Sequence, residues 1–201
     1  MIQTEAIATD TPKALDGIRI LDFTWVRAGP WGTRWLGALG AEVIKVEWPP
    51  GSMRGALAAP PGIEINLNTG GQFNDTSANK LGVTVNVRSP RGLDLIKRLV
   101  SISDVVVENF SSRVMENWGL GYEEMCKLKP DIVYVSQSGF GQTGRLHHYQ
   151  TGGPIAQAFS GLTYLSGLPG QPPAGWGWSY LDDTGGMYVA FSILTALYRR
   201  N

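Results

Sequence analysis

The chain has 201 residues, enough for one domain with a substantial core. Its 17 basic and 17 acidic residues cancel, and no charge block stands out, which excludes the clustered basic footprint of a general nucleic-acid binder. The single cysteine, Cys126, excludes an intrachain disulfide and points to a reducing, cytoplasmic setting.

Met1–Lys13 is polar, lacks an apolar core of signal-peptide length, and belongs to an N-terminal extension over residues 1–14. Gly17–Thr24 is a short, apolar, β-rich run and reads as the first strand. After Ala28-Gly29-Pro30 the pattern predicts a helix over Trp31–Leu39, closed by Gly40 at the C′ position. Ala41–Glu47 is a second strand, broken by Pro49-Pro50-Gly51. From there to Asn79 the Gly, Pro, Asn and Thr content predicts a long irregular loop, and Leu81–Val87 a third strand. Ser89-Pro90 supplies an N-cap and an N1 proline for a helix running to about Ser101. Asp104–Phe110 reads as a buried strand, Tyr122–Leu128 as a short helix and Asp131–Ser136 as a further strand.

A glycine-rich turn follows, then a helical Pro154–Ser160 and a Pro/Gly-rich stretch, Gly167–Gly175. Met187–Arg200 is a strong helical pattern that stops at Asn201 without a capping glycine, as a chain cut in mid-course would. No apolar run of about 18 residues occurs, so no membrane span is expected. Strands separated by helices imply right-handed crossovers and an α/β fold with a largely parallel sheet flanked by helices. Ligands of such sheets sit beyond the carboxyl ends of the strands, which here carry Thr24–Pro30, Glu47–Arg54, Glu108–Arg113 and Gln137–Gly144.

The most telling segment is Trp176–Tyr188, where Asp182 and Asp183 precede Thr184-Gly185-Gly186. A carboxylate at a helix entrance, beside residues without side chains, is placed to attack a thioester carbonyl; free N–H groups there would hold an oxyanion. The plain alternative is a helix N-cap. Gly139-Phe140-Gly141-Gln142-Thr143-Gly144 matches G-x-G-x-x-G, yet it follows a late strand and no acid lies between Asp131 and Asp182, so dinucleotide binding is disfavoured. His147-His148 has no Cys or carboxylate partner at zinc-like spacing, so no metal is expected. No G-x-S-x-G elbow occurs. Arg27 and the surrounding backbone, Asn109-Phe110 and Arg113 could each meet a phosphate or an adenine, or be ordinary turn residues.

Together these pieces form an ordered set: Leu15–Phe23, Ala28-Gly29-Pro30, Leu39–Glu47, Val107–Phe110, Ser138–Gly144, Gln157–Gly161 and Asp182–Gly186. The set resembles the family III (CaiB/BaiF-type) CoA-transferases from about residue 15 to the end. The resemblance implies a Rossmann-like large domain over 15–201, truncated at its C-terminal end, with the smaller domain absent from this chain. It also implies an interlocked homodimer in the full-length form, and no permanently bound cofactor. The implied reaction is transfer of CoA from an acyl-CoA donor to a carboxylic acid through covalent aspartyl intermediates.

Asp182 matches the family's nucleophile, with Asp183 in reserve. The matching CoA-contacting positions are Val26, Arg27, Ala28, Val85, Asn109, Phe110, Gly139 and Phe140. Two positions depart from the family: Trp48 and Ser138 stand where some members carry arginine and lysine, leaving Arg54 or Arg113 as candidates for the CoA phosphates. The Trp176–Tyr180 aromatics either wall the acyl group or pack in a core. Racemases of 2-methylacyl-CoA in the same family carry a histidine where this chain has Thr151-Gly152-Gly153-Pro154. A transferase is therefore the first expectation, with a racemase or a non-catalytic CoA-binding fragment as alternatives. The family's glycine loop would lie beyond Asn201.

Overall fold

The computed structural model describes residues 12–48, 61–64, 69–177 and 179–200. Strands β1 (Arg19–Asp22), β2 (Glu42–Glu47), β3 (Lys80–Thr84), β4 (Val105–Glu108) and β5 (Val133–Ser136) pair in parallel in the order β3-β2-β1-β4-β5. The order reverses between β1 and β4, and a doubly wound sheet opens its ligand crevice at that point.

Alternating side chains build a core on each face of the sheet. Ile20, Val105 and Val107 point to one face, where α1 (Ala28–Ala38) and α8 (Tyr180–Arg200) cover them with Leu36, Val189, Ile193 and Leu197. Leu21 and Val106 point to the other, covered by α3 (Pro90–Ser101), α4 (Val114–Asn117) and α5 (Tyr122–Leu128) through Ile96, Val100, Met115 and Met125. Each such side chain contributes roughly 1.5–3 kcal/mol on burial. Apolar contact therefore docks α8 more firmly than its terminal ion pairs do. Those pairs set its position along the sheet: Arg200 bonds Asp104 at 2.9 Å at one end, and Asp183 bonds Arg27 at the other.

Local signals decide several boundaries. Helix α1 ends as expected, with Gly40 at φ +107° and a paired capping arrangement: the Gly40 N–H donates to the Gly37 carbonyl and the Ala41 N–H to that of Leu36. Ser89 caps α3 by accepting from the Gly92 N–H at 3.1 Å. Helix α1 begins at Ala28 rather than Trp31, because the Trp31 N–H already donates to the Arg27 carbonyl. Strand β3 stops at Thr84 because the Asn86 side chain accepts from the Arg88 N–H and turns the chain. Part of the expected loop 48–79 is helical, α2 (Gly71–Thr76), and residues 49–60 and 65–68, including Arg54, lie outside the described residues. Helix α6 (Gly153–Phe159) is where the sequence places it, within one residue at each end, and α7 (Leu162–Leu165) is one turn, too short for a periodic signal.

The largest revision concerns α8. It starts at Tyr180, with the Asp183 N–H donating to the Ser179 carbonyl, so Gly185 and Gly186 lie inside the helix. Their N–H groups belong to the helical ladder and are not free for an oxyanion. Gly186 is needed because α1 crosses there: a Cβ would lie 2.4 Å from the Ala28 carbonyl oxygen. The reciprocal contact is equally close, a Cβ on Gly32 meeting the Gly186 oxygen at 2.4 Å.

Candidate active site

The ends of β1 and β4 are tied together by Asn109. Its amide donates to the Trp25 carbonyl at 2.8 Å and accepts from the Trp25 N–H at 2.7 Å. Gly29 makes this approach possible, since a Cβ there would lie 2.5 Å from Thr24 Cβ and 3.1 Å from Asn109 Cγ. Val26, next in the link, has φ +64°, a conformation a β-branched residue adopts only under constraint. Glu108, buried at the end of β4, accepts from the Phe110 N–H at 2.6 Å and from the Ser136 hydroxyl, which braces the turn carrying Asn109 and Phe110. Burial pushes its carboxyl above the usual range, with the bonds from Ser136 and Phe110 opposing.

Beneath this crevice lies an ionic knot. Asp22 is fully buried and receives Lys80 Nζ at 3.0 Å, while Lys80 also donates to Thr33 and to the Pro30 carbonyl. Lys45 donates to the Thr24 carbonyl. Burial alone would raise the Asp22 pKa, but Lys80, Lys45 and the Thr24 and Thr33 hydroxyls outweigh it and hold the group at about 2. Burial drives the Lys80 pKa down, and Asp22 opposes that shift.

The two aspartates of α8 have different fates. Asp183 is clamped by Arg27, whose Nε and Nη2 donate to its two carboxylate oxygens at 2.6 and 3.2 Å. Arg27 also bonds Asp75 at 2.8 Å and lies over the Trp31 ring, 4.5 Å from its centroid. Asp182 is half-buried and, among the described residues, accepts one hydrogen bond, from the Gly153 N–H at 3.0 Å. Burial pushes its carboxyl above the ordinary aspartate range, and Asp183 adds to that, while the Gly153 N–H and Arg27 oppose it. Asp182 is thus the uncommitted carboxylate of the pair.

Asp182 borders a cleft of about 330 Å³ whose walls include Ala28, Asn109, Gln137, Gly139, Gly153 and Tyr188. A second cleft of about 650 Å³ runs past Val26, Trp48, Arg88, Phe110 and Trp118. The two share Asn109, Ser138, Gly139 and Thr151, and so form one path from the aspartate to an aromatic, cationic mouth. This path brings together five expected contact residues, Val26, Ala28, Asn109, Phe110 and Gly139. Three others border neither cleft. Arg27 is held between Asp183 and Asp75. Val85 lies one residue beyond β3 and packs in the core. Phe140 meets Phe159 edge-on at 5.1 Å.

The residue missed by sequence reasoning is Arg88. It lies 5.3 Å from the centroid of Trp48 and, among the described residues, forms no ion pair. Its only sequence signal is a cation between a strand end and a Ser-Pro helix start, which reads equally as a solvated turn. Arg113, expected as a phosphate contact, borders neither cleft. His147 bonds the Ser112 hydroxyl at 2.9 Å and His148 faces Tyr149; neither reaches the Asp182 cleft. Of the 176–180 aromatics, Trp176 contacts Tyr180 at 4.7 Å, both are exposed, and Trp178 lies outside the described residues. Among the described residues no three His, Cys, Asp or Glu side chains gather into a metal-binding group, and no helix is long and apolar enough to cross a membrane.

Comparison with known proteins gives a consistent result. The family model described as CoA-transferase family III matches residues 15–201. Succinyl-CoA:glutarate CoA-transferase of Mus musculus is 39% identical over 191 residues, covering 95% of this chain and 43% of the relative. Formyl-CoA:oxalate CoA-transferase of Streptomyces coelicolor is 37% identical over 191 residues, covering 94% of this chain and 45% of the relative. Among solved structures, a CaiB/BaiF family protein from Brucella suis superposes with a TM-score of 0.86 at 32% identity, covering 94% of this chain and 50% of that one. The chain spans less than half the length of these two curated relatives.

Proposed function

The chain belongs to CoA-transferase family III, and from that premise we propose that it moves CoA from an acyl-CoA thioester to a carboxylic acid through covalent capture at Asp182. The observation that carries this reading is the asymmetry of the two aspartates. Arg27 immobilises Asp183 bidentately, while Asp182, at the wall of the smaller cleft, keeps one oxygen without a hydrogen bond among the described residues.

In the proposed reaction an Asp182 oxygen adds to the thioester carbonyl and the C–S bond breaks, giving an aspartyl–acyl anhydride and CoA thiolate. The thiolate attacks the aspartyl carbonyl and expels the first carboxylate, leaving an aspartyl-CoA thioester. The acceptor carboxylate then attacks that thioester, releasing the thiolate and forming a second anhydride. Return of the thiolate to the acceptor's acyl carbon frees Asp182. The acyl groups stay activated throughout, so no ATP is consumed. Burial around the site favours the first step, because a desolvated carboxylate is a stronger nucleophile than a hydrated one.

In this reading the larger cleft takes the nucleotide end of CoA, with Phe110, Trp48 and Trp118 facing the adenine and Arg88 meeting a phosphate. Val26, Ala28, Asn109 and Gly139 border the pantetheine arm. Arg27, matched to a CoA-contacting position, acts instead through Asp183, and Val85 and Phe140 support the walls from behind. Residues 15–201 form the large-domain portion, and the full-length protein is an interlocked cytoplasmic homodimer with acyl-CoA as substrate rather than resident cofactor.

A racemase is disfavoured because Gly152 and Gly153 stand beside Asp182 where a proton-transferring histidine would be needed, and His147 is bonded elsewhere. The test is incubation with succinyl-CoA, quenching with hydroxylamine and mass spectrometry of the Asp182 peptide. A hydroxamate at Asp182 is expected. Exchange of CoA onto an acceptor with Asp182 unmodified would reject the covalent role, and washing of solvent deuterium into the α-carbon without an acceptor would favour the racemase.

A further inference from the structure

We infer that Gln137 is a second catalytic residue, donating an amide N–H to the acyl oxygen as Asp182 attacks; this inference rests on the function proposed above. Gln137 directly follows β5, and its N–H donates to the Glu108 carbonyl at 3.0 Å, so its side chain is presented from a rigid strand end. The carboxamide lies over α8 at Gly185, where a Cβ would come within 2.7 Å of Gln137 Nε2. Gly185 is three residues after Asp182 and shares its face of the helix. The missing side chain at Gly185 thus makes room for the amide beside the nucleophile, which gives that glycine a purpose distinct from Gly186.

The amide is also uncommitted. Among the described residues Gln137 Oε1 is buried without a hydrogen-bond partner. Buried polar atoms rarely stay unpaired unless a ligand or a reaction uses them. Of the other polar side chains of the cleft, Asn109 bonds Trp25, Ser138 the Gly141 carbonyl, Thr151 the Gly152 carbonyl and Thr184 the Tyr180 carbonyl, while the Tyr188 hydroxyl belongs to a residue that is 68% exposed. The backbone N–H groups of Gly185 and Gly186 are consumed by the helix. Gln137 is therefore the side-chain amide that a strand end presents beside Asp182 and that no other group of the cleft holds.

When the Asp182 oxygen adds to the thioester carbon, the carbonyl pair moves onto oxygen. The charge returns as the C–S bond breaks and sulfur leaves with its electrons. A neutral amide stabilises that oxyanion without transferring a proton, and Gln137 suits each anhydride and thioester step in turn. Loss of one oxyanion donor typically slows such a step about 100- to 1000-fold.

The experiment measures single-turnover formation of the Asp182 adduct from succinyl-CoA in the wild type, Gln137→Ala and the near-isosteric Gln137→Glu, with acyl-CoA affinity and melting temperature recorded for each. The alanine variant is expected to react about 100-fold or more slowly with affinity within about threefold. The glutamate variant is expected to be slow at neutral pH and to speed up relative to wild type as pH falls, because only its protonated form donates; a packing role would not produce that profile. An alanine variant that reacts within threefold of wild type, or that loses affinity rather than rate, overturns the role of Gln137 while leaving Asp182 intact. Absence of an adduct in the wild type overturns both.

Discussion

Replacing Gly186 by alanine puts a methyl carbon 2.4 Å from the Ala28 carbonyl oxygen, 3.0 Å from Trp31 Cδ1 and 3.1 Å from the Gly32 nitrogen. Ordinary contact begins near 3.4 Å, so α1 and α8 must part by about 1 Å, and two of the obstacles are backbone. Overpacking of this kind costs about 1–3 kcal/mol, while exchange of a helical glycine for alanine returns about 1 kcal/mol of helix propensity. The net cost is then up to about 2 kcal/mol, a fall of up to roughly 8 °C in melting temperature for a chain of this size. The same separation carries Asp182 away from Ala28, and a 1 Å displacement of a reacting group costs about 100-fold in rate. Gly185→Ala is the contrast. Its Cβ meets only the movable end of Gln137, so the propensity gain should leave stability unchanged or raised while adduct formation drops. Thermal melting by circular dichroism together with single-turnover trapping reads both variants. If Gly186→Ala melts with the wild type and reacts at its rate, the close helix crossing does not govern the site.

Other predictions concern charge. Asp22 ionises at about 2 instead of the ordinary 3.8, so its contribution of about 2 kcal/mol is complete above pH 4 and disappears as pH falls through 2. Asp22→Asn should flatten that acid step in urea unfolding and, by leaving Lys80 buried without its partner, cost about 3–5 kcal/mol at neutral pH. Asp182 has the opposite sign: its raised pKa means the folded state favours the protonated acid, so ionised Asp182 opposes folding at neutral pH. Asp182→Asn should accordingly melt at or above the wild-type temperature with no adduct, and the wild-type rate should fall on acidification at a pH above the ordinary aspartate pKa. Arg88→Ala should raise the KM for acyl-CoA about tenfold with kcat within twofold, an effect that added salt diminishes; an unchanged KM would remove Arg88 from the phosphate site.

The alternation of apolar strands with capped helices made the parallel sheet readable, because Gly40, Ser89 and Pro90 act within a few residues of where they stand. The start of α8 was not readable. Gly185 and Gly186 each weaken a helix by about 1 kcal/mol, so the local pattern gives a turn there, and only the approach of α1 explains why glycine is required inside the helix. Arg27 was misleading for a similar reason. Beside a strand end it looks like an anion contact, but its partner Asp183 lies 156 residues away in sequence. Pairings over that distance leave no periodic trace. The family match put Asp182 ahead of Asp183 in the sequence; that Arg27 holds Asp183 and not Asp182 is visible only in the fold.

The smaller cleft takes Ala28 from the first crossover, Asn109 and Gln137 from two strand ends, Gly153 from α6 and Asp182 from α8. No contiguous stretch contains even half of that wall. Docking of α8 against α1 closes a loop of about 150 residues, and contacts that close long loops repay their entropy late in folding. A species with the sheet formed but α8 undocked would hold neither the proposed nucleophile nor the room that Gly185 provides. Chemical competence should then arise in one step with the last tertiary contact, and the amides of α8 should exchange with solvent faster than those of β1 and β4.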